Sequence, residues 1–300
     1  MLERSHARAS ARVEIGDDAR PALLALAVYL AGSAAALVVG GVATLRPELA
    51  GAHLAGLILV LLLVRRRDGA VAWVSVGRAW LPILALPLCY AELGPLIDAL
   101  HPRMRDAVVL GWEQAHFGEP ARTLAIAAPD RWLSELLHAG YLSYYPLIVL
   151  PPLLLALRRR ERALGETVLA LVLAYGACFV AFLVFPVEGP RYRWGPAAAA
   201  PEGPFRDLAR ALLAGGSSRG TAFPSSHVAV TVAQTILAFR HQPLVGVIVA
   251  SCALLVGFGA VYGGFHYATD VVAGFAVGLF AALMAVAWFD QLSGTPRARR

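Results

Sequence analysis

Residues 243–264 read PLVGVIVASCALLVGFGAVYGG, without a single charged side chain. A helix needs about 20 mainly apolar residues to cross some 30 Å of hydrocarbon, so this stretch predicts a transmembrane helix. Working outward, further apolar stretches lie at 22–45, 49–64, 79–97, 137–157, 165–187, 224–240 and 269–289, the second of them short. Composition agrees. Of 300 residues 58% are hydrophobic and 15% charged, against roughly 45–50% and about 25% in soluble domains. That is more apolar surface than one aqueous core can hide. The expected fold is an all-α integral membrane protein, a multi-span helical bundle of about eight spans.

The net charge of +6 comes from 26 Arg, with no Lys, against 20 acids. Most of these arginines sit in short runs between apolar stretches, which suits membrane topology and not nucleic acid. With a cytoplasmic N-terminus and eight spans, 16 arginines fall inside and 10 outside. The excess predicts both termini cytoplasmic. Arg65 to Arg67 and Arg158 to Arg160 read as topology anchors beside anionic lipid heads. The basic start (Arg4, Arg8, Arg12) also holds Glu14, Asp17 and Asp18, and the apolar run after it is long and lacks a clear cleavage site. It reads as a retained first helix and not a signal peptide. Cys89, Cys178 and Cys252 each lie inside an apolar run with no CxxC spacing, so buried thiols are expected, not a disulfide or zinc site. Richness in Ala and Arg without Lys points to a high-GC bacterial genome, hence to a bacterial inner membrane. The organisation expected is a tail at 1–20, N-terminal transmembrane helices at 21–100, a functional membrane domain at 101–290 and a basic tail at 291–300. Two long outside segments interrupt the spans. Residues 98–136, with Trp112, Phe117 and Trp132, suit an amphipathic interfacial helix; 188–223 hold a short helix at 205–213.

Three polar clusters fall on the outer side by this topology. They are Phe185-Pro186-Val187-Glu188-Gly189-Pro190-Arg191-Tyr192-Arg193, Gly220-Thr221-Ala222-Phe223-Pro224-Ser225-Ser226-His227, and Tyr262-Gly263-Gly264-Phe265-His266-Tyr267-Ala268-Thr269-Asp270. Pro224 suits a helix start, where Ser225 and Ser226 would expose free backbone N–H groups beside their hydroxyls. Such an end attracts an anion. Arg191 offers a planar cationic fork that matches phosphate oxygens two at a time. His266 and Asp270 are four apart, so on a helix the carboxylate can hold one imidazole nitrogen and leave the other free to attack. His227 then supplies the proton a leaving alkoxide needs. Together these residues make a phosphoryl-transfer site with no metal and no cofactor.

The same residues carry a family resemblance. Pro224-Ser225-Ser226-His227 and His266-Tyr267-Ala268-Thr269-Asp270 resemble the signatures P-S-x-H and H-x-x-x-D of the type-2 phosphatidate phosphatase superfamily. Its members are membrane helical bundles that cleave or transfer lipid phosphate groups through a phosphohistidine. The resemblance implies His266 as nucleophile, Asp270 as its orienting partner and His227 as acid. Arg191 is similar to the arginine of the first signature, in the form used by the inositol phosphorylceramide synthase-like branch. Gly111-Trp112, Phe117-Gly118-Glu119-Pro120 and His138 to Tyr145 are similar to that branch too, and the likeness covers roughly 105–285. Two positions depart from the pattern. Val184 stands where the first signature has a Lys, and Gly259-Ala260 where the third has Ser-Arg. Either Arg193, Arg219 or a tyrosine compensates, or the ester differs.

The function expected is a lipid phosphate phosphatase at the outer leaflet, its alternative a phosphotransferase with a lipid hydroxyl in place of water. A lipid phosphate and the bilayer are the partners; nucleic acid is not, and no marker of oligomeric state occurs. Arg191, Ser225, Ser226, Arg193 and Arg219 are the candidate phosphate contacts, the last two equally readable as solvated loop charge. Tyr141 and Tyr145 are candidate substrate contacts, or with Tyr144 interfacial packing. His53, His101 and His116 read as interfacial polar residues without chemistry, and Gly274 with Gly278 as a close-packing GxxxG pair. A transporter would use the same polar residues as an anion path, but no internal repeat occurs. An intramembrane serine protease would need a Ser–His pair inside the membrane, and no G-x-S-G is present.

Overall fold

The computed structural model describes residues 18–41, 47–65, 72–195 and 200–292. Nearly all of both expected tails, with Arg46, Arg66 and Arg67, lies outside the described residues. The described residues form helices and no strand: α1 (Arg20–Val39), α2 (Pro47–Arg65), α3 (Ala72–Ala91), α4 (Leu93–Leu100), α5 (Asp106–His116), α6 (Pro120–Ala127), α7 (Arg131–Leu142), α8 (Tyr144–Leu157), α9 (Glu161–Val184), α10 (Pro190–Trp194), α11 (Pro204–Gly216), α12 (Ser226–His241), α13 (Pro243–Tyr262) and α14 (Ala268–Leu292).

Every apolar stretch in the sequence contains helix, and the chain is an all-α, multi-span membrane protein. Five helices (α1, α2, α9, α13 and α14) are long and apolar enough to cross a bilayer, and the bent pairs α3–α4 and α7–α8 bring the number to seven. The eighth expected span is α12. Its 16 residues rise only about 24 Å at 1.5 Å each, short of the ~30 Å hydrocarbon layer. The span count by length is therefore five to seven among the described residues, not eight.

Both bends have a proline cause. α3 meets α4 at 42°, and α7 meets α8 at 46°. Pro95 has no N–H for the carbonyl of Ala91, and Pro146 none for that of Leu142, so each ladder breaks one turn ahead of its proline. The two long segments expected outside, 98–136 and 188–223, contain the short helices α5 and α6, then α10 and α11.

Helix α9 is the axis of the bundle, packing against α1, α3, α4, α8, α12 and α14. In its most apolar segment 61% of residues are buried, against 11% in α2, which turns its leucines outward. Lipid tails are as apolar as leucine, so close backbone approach is what holds helices together here. α14 shows it. A Cβ on Gly274 would stand 2.4 Å from the Ser225 carbonyl, and one on Gly278 2.2 Å from that of Ala229. The GxxxG pair thus seats α14 directly on α12 and fixes the distance between the second and third polar clusters.

Candidate active site

The three clusters, far apart in sequence, converge. Val187 and Thr221 form a parallel bridge, with Val187 N–H donating to Gly220 O at 3.2 Å and Ala222 N–H to Val187 O at 2.8 Å. The second cluster meets the third where Ser225 N–H donates to Asp270 O at 2.9 Å. Gly189, at φ +90°, places its Cα where a Cβ would be 3.0 Å from Ala222 and 3.3 Å from the Phe265 carbonyl, so the first cluster closes on both others.

His266 lies between α13 and α14, 5% exposed. Its Nδ1 is 3.0 Å from Ala222 O and 3.4 Å from Asp270 Oδ2. A carbonyl only accepts, so Nδ1 carries the proton and Nε2 keeps its lone pair. Asp270, wholly buried, also accepts Tyr267 N–H at 2.8 Å. The His227 ring centroid is 5.8 Å from that of His266. Tyr141 stacks on His227 at 4.9 Å and brings its hydroxyl to 3.2 Å from Nε2. His227 Nδ1 is buried and has no partner. Each histidine therefore has one nitrogen held and one uncommitted.

A cavity of about 760 Å³ opens on this pair. Its polar end is lined by Arg191, Ser226, His227 and His266; its apolar arm runs between α3 (Ile83, Leu84, Pro87) and α8 (Ile148, Val149). Leu84 is 65% and Val149 41% exposed. The arm thus runs from the polar end to an outward-facing apolar surface. The Arg191 guanidinium donates to Ser217 Oγ and, at 2.9 Å, to the Tyr192 hydroxyl, with its carbon 4.5 Å above the Tyr192 ring. That leaves donors of the fork for a ligand.

Tyr141 and Tyr145 both line the cavity, and so does Tyr144, whose ring centroid is 4.0 Å from that of His227. The remaining candidates stand elsewhere. Pro224 precedes the helix; the N-cap of α12 is Ser225, whose buried Oγ accepts Val228 N–H at 3.4 Å and lines no part of the cavity. Arg193 is exposed and outside the lining. Arg219 pairs with Glu188, and that carboxylate holds its guanidinium above the ordinary arginine range. Of the departures from the family pattern, Val184 is 68% exposed, and Ala260 is buried against Tyr141 and Phe265 with its carbonyl taken by Phe265 and His266 N–H.

Two carboxylates of α5 went unnoticed in the sequence. Asp106 accepts Glu188 N–H and Gly189 N–H, each at 2.9 Å, and so pins the loop that leads to Arg191. Burial pushes the Tyr267 phenol up, which keeps it a donor to Asp106 at 3.5 Å. Glu113, fully buried, accepts Ala268 N–H at 2.9 Å, Thr269 N–H at 2.9 Å and Thr269 Oγ at 2.7 Å. It occupies the N-terminus of α14, where unpaired amides favour an anion. One short helix thus clamps the loops that carry Arg191 and the His266–Asp270 pair. In the sequence they are two charges in a segment that mixes apolar and charged residues, which gives them no distinct signal. His53 is buried, 2% exposed, and contacts Ser33 and Glu92.

Among the described residues no group of three His, Cys, Asp or Glu side chains is placed to share a metal ion. The family model of the PAP2 superfamily matches residues 107–284, more than half of the chain and all three clusters, and the chain belongs to that superfamily. No curated protein and no solved structure matches it. Membership supports a lipid-phosphatase type of function, hydrolytic or transferring.

Proposed function

We propose that this PAP2 superfamily member cleaves the phosphate ester of a membrane lipid through a phosphohistidine on His266, without a metal ion. The observation that carries the reading is His266 itself: Nδ1 held by Ala222 O and Asp270, beside His227 and at the end of a cavity that also holds Arg191. In the first step Nε2 attacks phosphorus, an N–P bond forms and the P–O ester bond breaks. Protonated His227 gives its proton to the leaving alkoxide, and Asp270 stabilises the imidazolium-like charge on His266. In the second step water attacks phosphorus, His227 takes a proton from it, the N–P bond breaks and phosphate leaves. Arg191 binds the equatorial oxygens in both steps, the role a metal ion fills elsewhere.

The apolar arm supports a lipid substrate, since an acyl chain lying between α3 and α8 would keep its contact with the bilayer. A lipid hydroxyl could replace water in the second step, which is the transferase alternative that Phe185-Pro186-Val187-Glu188-Gly189-Pro190-Arg191 and its branch resemblance favour. The arginine count places the site at the outer face of a bacterial inner membrane only if the 16-residue α12 traverses the bilayer together with the seven longer spans, and the outward orientation is proposed on that condition. The test is purified full-length protein given a lipid phosphate, with free phosphate assayed with and without an added lipid alcohol. Phosphate release that His266→Ala abolishes supports hydrolysis; release that falls as a phosphorylated acceptor appears supports transfer. Undiminished turnover in a folded His266→Ala variant refutes both.

A further inference from the structure

Tyr90 closes the last turn of α3, outside the segment that the family model matches. It nonetheless lines the cavity. Its hydroxyl is 3.0 Å from Thr221 Oγ and accepts Ser218 N–H at 3.3 Å, while its carbonyl accepts Ser218 Oγ at 3.4 Å. Thr221 Oγ spends its own proton on Ser218 O at 2.7 Å, so the phenol must donate to Thr221. One side chain therefore satisfies both ends of the Ser218–Thr221 turn. Ser217, next in the chain, receives the Arg191 guanidinium, and Thr221 forms the bridge to Val187.

The turn after Tyr90 is itself held. Glu92, at the break between α3 and α4, sits 3.0 Å from His53 Nδ1, and His53 Nε2 is 2.6 Å from Ser33 Oγ. These polar side chains come from α1, α2 and the break, in surroundings where an unmet polar group is costly. They fix the direction in which α3 ends, and with it the phenol.

We infer that Tyr90 is a positioning residue for phosphate binding: it holds residues 217–221 so that Arg191 is aimed into the cavity. The helices ahead of the matched segment thereby complete the site. The inference rests on Arg191 being the phosphate ligand, as proposed above.

The test compares full-length wild type, Tyr90→Phe, Arg191→Lys and the double variant. Three quantities are read: KM for a lipid phosphate, kcat, and the inhibition constant of inorganic phosphate. Tyr90→Phe keeps the ring and removes only the hydroxyl. Losing its hydrogen bonds should raise KM and the phosphate inhibition constant about tenfold each, with kcat changed less than about threefold. The double variant should be no worse than Arg191→Lys, because both changes act through one guanidinium. A purely structural tyrosine would lower thermal stability and leave phosphate inhibition of the folded enzyme unchanged; that result, or fully additive losses, overturns the inference alone. Unchanged phosphate inhibition in Arg191→Lys overturns the phosphate-ligand reading and the inference with it. Thr221→Val, which removes the acceptor of the same bond, should reproduce the KM effect and serves if Tyr90→Phe does not fold.

Discussion

Replacing Glu113 by Gln exchanges one oxygen for an NH2 nitrogen at a position outside the cavity lining, and should still damage the enzyme. The carboxylate accepts Ala268 N–H through one oxygen, and Thr269 N–H and hydroxyl through the other. Gln keeps a single carbonyl oxygen, so its NH2 must face one of those donors. A buried N–H left unsatisfied costs about 1–3 kcal/mol. Removing negative charge from a buried helix N-terminus adds up to ~2 kcal/mol. A loss of about 1–5 kcal/mol in stability follows. The damage does not stay local, because Asp270 lies in that first turn and His266 depends on it. A displacement on the order of 1 Å there can cost about a hundredfold in rate. Thermal unfolding in detergent and kcat/KM on a lipid phosphate check both effects. Glu202, whose side chain is 91% exposed, is the control: Glu202→Gln should change neither. A Glu113→Gln protein as stable and as active as wild type would refute the clamp.

Asp270→Asn should reduce kcat severely, about 10³-fold or more, while leaving the fold intact, because the amide cannot stabilise an imidazolium; single-turnover kinetics would show it. His227→Ala should cripple cleavage of a lipid phosphate, whose alkoxide needs a proton, yet keep clear activity on an activated aryl phosphate; equal losses on both substrates would reassign His227 to phosphate binding. Activity should survive exhaustive EDTA treatment, and its loss on chelation with recovery on one divalent ion would demand a metal-assisted mechanism. Gly274→Leu should prevent folding or sharply reduce yield, since its Cβ already meets the Ser225 carbonyl at 2.4 Å; size-exclusion profiles decide it.

Much of this architecture is readable without coordinates, for physical reasons. Apolar runs such as 243–264 announce helices because lipid tolerates little else. His266 with Asp270, and Pro224 to His227, stand out because polar side chains at the ends of apolar runs are expensive to keep there. Gly274 and Gly278 are legible for the same reason in reverse, as a gap no side chain fills. What stayed hidden is what depends on partners distant in sequence. Glu113 and Asp106 sit in a mixed segment where a carboxylate reads as ordinary interfacial charge, and only folding shows the backbone amides each one receives. Arg193 and Arg219 read equally well as phosphate contacts or solvated loop charge, and the fold decides: one is solvated and the other is taken by Glu188. Tyr90 was lost in the end of an apolar run. The bends at Glu92 and Ser143 were within reach, since Pro95 and Pro146 each delete one ladder bond, but hydropathy alone reads each pair as a continuous span.

The central claim is a covalent bond between phosphorus and His266 Nε2. Rapid acid-free quenching of the enzyme with a ³²P-labelled lipid phosphate, followed by peptide mapping, tests it most directly. Label that is stable to base, labile to acid, carried on the peptide containing His266 and missing from His266→Ala is the predicted result. No label on wild-type enzyme turning over at full rate, or label on another residue, would contradict it.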